Sequence, residues 1–181
     1  MSGSPFYDDV DKAEQIAINL FYGWGYNFYR LENQLRADDL LFREHACFLL
    51  GQSRAMIEAA QSAYRRTCLP PPSRARPLPD SAAVANAQSL EALSASIGEL
   101  EGTIRALPVP ENDRMTQRYR QEAPTLRMLG QCDQRLIGFA EILRQTLEGK
   151  DHEWILANIA GIRDGIAQMM ARVRERQALL K

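Results

Sequence analysis

The sequence has few of the residue types from which most recognisable active sites are built. Its 181 residues include only two histidines and three widely separated cysteines. An odd number of scattered cysteines predicts neither a disulfide framework nor a zinc site. There is also no phosphate-binding glycine loop, no nucleophile elbow and no Ser–His or Cys–His spacing of a nucleophilic enzyme. These absences favour a protein that is not an enzyme and holds neither metal nor cofactor.

Charge and hydropathy argue against two further classes of partner. The net charge is −1, too close to zero for a broad electrostatic footprint on nucleic acid. No apolar run approaches the roughly 18 residues of a membrane span. The first twelve residues are acidic and polar, unlike a secretory signal. We therefore expect a cytoplasmic protein that binds neither nucleic acid nor membrane; its arginine-rich, lysine-poor composition is typical of GC-rich bacterial genomes.

Apolar residues at helical spacing run through most of the chain. Steps of three and four residues recur, and no stretch alternates in the manner of a strand. This periodicity predicts an all-α fold: an antiparallel bundle of four to five long helices, forming a single domain over 1–181 with a loose N-terminus at 1–7. The predicted helices cover about 9–35, 39–67, 80–107, 124–147 and 151–180.

Proline, glycine and aspartate mark the predicted helix ends. Five prolines between Leu69 and Pro79 predict an extended linker between the second and third helices. Gly149 is suited to end one helix and Asp151 to cap the next, which predicts a tight hairpin. Between Gly25 and Gly51 there is neither glycine nor proline, so the first two helices are either separate, with Asp38 or Asp39 as a cap, or one rod.

An aromatic cluster marks the first predicted helix. Two glycines flank Trp24 there, although each costs about 1 kcal/mol in a helix interior relative to alanine. Three explanations remain open: close packing, a kink that opens a pocket, or a turn between two helices. The pocket would suit a small ligand, because aromatic walls with a few polar groups are typical of such sites. Its lining would be Tyr22, Trp24, Tyr26, Phe28 and His45.

Two polar residues interrupt the apolar seams. His45 is either a hydrogen-bonded core histidine or a haem or metal ligand. Asp133 lies at a core position of the fourth predicted helix, where an unpaired carboxylate is costly. It therefore either forms a buried ion pair, with Arg163 or Arg105 as the expected partner, or lines a cavity.

Small residues follow one face of the last predicted helix. Ala157, Gly161 and Gly165 lie four residues apart, so another helix, from this chain or a partner subunit, could approach closely. Together with the long apolar seams, this face predicts a non-enzymatic protein that acts through protein–protein contacts and forms a homodimer: an adaptor, assembly factor or accessory subunit. The alternative is a sensory bundle that binds a small ligand or cofactor in the aromatic pocket.

Overall fold

The computed structural model describes residues 16, 35–74, 77–107 and 123–179. In these residues the protein is a bundle of five helices without strands, which confirms the all-α prediction. The helices are α1 (Leu35–Cys68), α2 (Ser81–Arg105), α3 (Ala123–Leu147), α4 (His152–Ala157) and α5 (Ile159–Leu179). None of the helices in these ranges combines the length and apolar character needed to cross a membrane.

The long helices lie side by side, and each runs in the direction opposite to the long helix that precedes it in the chain. α1 contacts α2 and α3, and α5 contacts the same two helices. The Arg43 guanidinium, near the start of α1, donates to the Arg105 carbonyl at 3.3 Å and to the Leu107 carbonyl. Arg43 thus satisfies carbonyls left free at the end of α2 and complements the negative end of its dipole. This contact fixes α1 and α2 as antiparallel.

One apolar cluster joins all five helices. Side chains that are completely or almost completely buried include Leu50, Ile57, Leu90, Ile97 and Phe139. Burying each contributes roughly 1.5–3 kcal/mol. The α3 seam is buried as its three-four spacing predicts, at positions Leu129, Asp133, Leu136, Ala140, Leu143 and Leu147.

The connections explain where helices begin and end. Between α1 and α2 the described prolines are exposed, and the Asp80 carboxylate accepts a hydrogen bond from the Ala83 amide at 3.2 Å. Between α3 and α4, Gly149 has φ 69°, a conformation that glycine adopts without strain. The Asp151 carboxylate then accepts from the Trp154 amide at 2.8 Å. The predicted hairpin and its cap are confirmed.

Two predicted helix boundaries differ from those in the structure. α1 already includes Leu35, so the alternative in which a separate helix begins at Asp38 or Asp39 is wrong, because both residues lie inside α1. The predicted last helix is divided at Asn158, which separates α4 from α5. The Asn158 side-chain amide donates to the Trp154 carbonyl at 2.8 Å. The same carbonyl also accepts from the Asn158 backbone amide at 3.1 Å, and the break lies in the Asn158 backbone, whose φ of −107° and ψ of 9° leave the helical region.

Candidate functional site

The predicted aromatic pocket is represented in the described residues by His45 alone. Tyr22, Trp24, Tyr26 and Phe28 lie outside the described residues. His45 is buried in α1, with 4% of its surface exposed. Burial lowers the pKa of His45, and the nearby carboxylates of Glu141 and Glu44 oppose that shift. The environment therefore favours a neutral imidazole at physiological pH.

Glu141 of α3 is a buried carboxylate with a full set of local donors. It accepts hydrogen bonds from Arg144 Nε and Nη2 and from Gln145 Nε2, each at 2.8 Å. Burial alone would raise the pKa of Glu141, but these hydrogen bonds outweigh it and lower the pKa. The carboxylate is therefore charged and held on its own helix. Within the described ranges, no three histidine, cysteine or acidic side chains come together as a possible metal site.

Asp133 forms the predicted buried ion pair, but with a different arginine. Arg176 Nε donates to Asp133 Oδ1 at 2.6 Å and Nη2 to Oδ2 at 3.4 Å, and both side chains are 0% exposed. The guanidinium also lies 4.8 Å from the centre of the Phe42 ring. The pair thus ties α3 to α5 and touches α1.

The two arginines proposed as partners of Asp133 are both exposed. Arg163 lies near the Ser89 carbonyl of α2, at 3.4 Å, and Arg105 pairs with Glu101 one turn earlier. Arg176 interrupts the apolar seam of α5, and its spacing within that helix does not indicate a partner on α3. The antiparallel register of α3 and α5, which spacing within one helix does not reveal, brings it opposite Asp133.

The small-residue stripe spans two helices. Ala157 is exposed, Gly161 is half-buried and Gly165 is buried. The helix break at Asn158 places Ala157 on α4 and both glycines on α5. The stripe therefore continues along one helix only from Gly161 to Gly165, and close packing of a partner subunit on it stays a prediction.

A groove lies on the outside of α1 and α2. Its volume is ≈ 1040 Å³. Leu40 and Phe48 line it although they are 52% and 54% exposed, respectively. Gly51 is part of the lining, and a Cβ added to it would have no atom within 4 Å. The remaining lining residues are Arg43, Glu44, Cys47, Gln52, Ala55, Glu101 and Arg105.

The thiol in this groove is not poised for chemistry. Cys47 is buried, and its Sγ lies 3.8 Å from the Glu101 carbonyl oxygen. Burial raises the pKa of the Cys47 thiol, an effect that nearby Arg105 only partly offsets. Because the thiolate is the reactive form, the groove presents an unreactive sulfur.

The groove opens onto a helix face that was not predicted from the sequence. Phe48 points outward, whereas Phe42, Leu50 and Ile57 occupy the core. A second stripe with the same helical period runs beside the buried one. We call it the α1 outer face: Leu41, Glu44, Phe48, Gly51, Ala55, Ala59, Ser62 and Arg66, all exposed except half-buried Gly51. The three-four steps between these residues were the available signal.

Comparison with known proteins gives no match, whether to a protein-family model, to a curated protein or to a solved structure.

Proposed function

We propose that this protein is a non-enzymatic cytoplasmic bundle that acts through protein–protein contacts, as an adaptor, assembly factor or accessory subunit. The observation that carries the proposal is the exposure of Phe48 and Leu40 beside the small residues Gly51 and Ala55 of α1. A large aromatic side chain next to an open groove is a common feature of helix-in-groove recognition. The partner supplies an apolar helical surface.

The composition of the groove supports this proposal over a reaction. Its one described nucleophile is a protonated buried thiol, and its carboxylate Glu101 is paired with Arg105. His45, the titratable group of the ligand-binding alternative, is buried in the core. That alternative stays a prediction, because four of its five residues lie outside the described residues.

The proposal is tested by site-specific photo-crosslinking in cells that produce the protein. One variant carries p-benzoylphenylalanine in place of Phe48, and a matched control carries it in place of Ala167, which is exposed on α5. We expect defined crosslinked protein products from the Phe48 position, identified by mass spectrometry, and none above background from Ala167. Equal background at both positions would refute contact through the groove.

A further inference from the structure

The α1 outer face has an unusual arrangement of charge and size. Its only two charged residues are Glu44 and Arg66, which have opposite sign. They lie near opposite ends of the face. Between them, the only large side chain is Phe48, which is 54% exposed. The other four positions, Gly51, Ala55, Ala59 and Ser62, are small. The face is therefore large and acidic towards the start of α1, and small and basic towards its end.

These two gradients make the face complementary to itself. We infer that a second copy of the chain binds there, with the two α1 helices antiparallel about a two-fold axis through Ala55. This inference rests on the proposed function and names its partner. In that register Glu44 of each copy lies opposite Arg66 of the other, and Phe48 lies opposite Ser62. Gly51 lies opposite Ala59.

Charge and size both select the antiparallel arrangement. In a parallel pair, Glu44 would face Glu44 and Arg66 would face Arg66. Like charges opposite each other would destabilise such a pair. Two Phe48 rings would also meet at one level and hold the helices apart. The antiparallel pair sets each ring against a small residue and brings alanines together at the axis. Small residues at the crossing let two helices approach closely, and a contact repeated by a two-fold axis is the usual form of a homodimer.

The size of the contact indicates a reversible dimer. Glu44 to Arg66 spans about 33 Å of helix at 1.5 Å per residue. A strip about 10 Å wide buries on the order of 700 Å² over both copies, below the roughly 1,200 Å² of stable complexes. We therefore expect weak, reversible dimerisation rather than a permanent dimer.

Charge-reversal variants test the register directly. Glu44→Arg and Arg66→Glu each place like charges at both ends of a homodimer. By sedimentation velocity between 10 and 500 µM, each alone should dimerise about tenfold more weakly than wild type. A one-to-one mixture restores opposite charges at both ends of the heterodimer. Its affinity should return to within about threefold of wild type, and circular dichroism should show both variants folded.

A second pair of variants tests the axis. Ala55→Glu sets two carboxylates against each other at the two-fold position, and we expect a monomer up to 500 µM. The matched control is Ala167→Glu, on an exposed position of α5, which should dimerise like wild type.

Three results would overturn the antiparallel pairing. If the mixture of the two charge variants dimerises no more tightly than either variant alone, the proposed register is wrong. If the wild-type protein is monomeric at 500 µM, the homodimer is refuted. Crosslinking at Phe48 to a different protein would then still support the proposed function. Dimerisation unchanged by Ala55→Glu would place self-association on another surface and leave protein contact as the function.

Discussion

The buried Asp133–Arg176 pair gives the sharpest stability prediction. Both side chains are 0% exposed, and the shorter contact is 2.6 Å. Replacing Arg176 with methionine keeps much of the apolar volume but leaves the Asp133 carboxylate buried without its main counter-charge. Breaking a buried pair in this way costs about 3–5 kcal/mol. For a domain of this size that corresponds to a fall in melting temperature of roughly 6–20 °C.

The double replacement separates the charge from the packing. In Asp133→Leu/Arg176→Met neither charge remains, and apolar side chains of similar volume fill the site beside Phe42. Such replacements of buried pairs are often neutral or stabilising by about 1–4 kcal/mol. We therefore expect the double variant to be at least as stable as wild type, although each single variant is severely destabilised. Urea unfolding followed by circular dichroism at 222 nm measures the three free energies.

The matched control is an exposed ion pair on the same helix. Arg172 Nη1 lies 2.7 Å from Glu175 Oε2, and these side chains are 36% and 53% exposed. Arg172→Met should cost less than about 1 kcal/mol, because solvent screens such pairs. The reasoning would be refuted if Arg176→Met were as mild as Arg172→Met, or if the double variant were as unstable as the worse of the two single variants.

Three further predictions concern the turns and the buried titratable groups. Gly149→Ala should destabilise the protein by about 1 kcal/mol because the φ of Gly149 is 69°. Gly102→Ala should stabilise it by roughly 0.5–1 kcal/mol, because the added methyl group meets open space within α2. Thermal melts of both variants measure these two changes. Asp151→Ala should cost about 1 kcal/mol by removing the α4 cap, and Asp151→Asn should recover most of that loss. Because the pKa of His45 in the folded protein is below 6.5, the unfolded chain binds the proton first as the pH falls. The contribution of His45 to stability should therefore be constant above about pH 7 and fall as the pH drops through 6.5. The slope should be less than about 1.4 kcal/mol per pH unit. Urea titrations of wild type and His45→Gln between pH 5 and 7 give the contribution of His45 as their difference, and the lowered pKa of Glu141 keeps that group charged there. A slope unchanged in His45→Gln would contradict the assignment.

Helix ends within the described residues were accessible from the sequence where one residue sets the local geometry. Asp80, Gly149 and Asp151 each act within three or four residues, so their roles did not depend on the rest of the fold. The Asn158 break was missed because an asparagine inside an apolar seam is compatible with a continuous helix. The break lies in the Asn158 backbone, whose φ of −107° leaves the helical region, and apolar periodicity does not report the angle of a single residue.

Sequence alone determined the class of this protein and the buried face of most of its helices, because a repeat of three and four apolar residues has no other stable arrangement than helix against helix. It also limited Asp133 to two outcomes, a buried ion pair or a position on a cavity wall, because a lone carboxylate in a core is too costly. Only the tertiary structure decided that the partner is Arg176 and that Phe48 faces outward. Both outcomes depend on which helices are neighbours and in what register, and that information lies in contacts between distant segments.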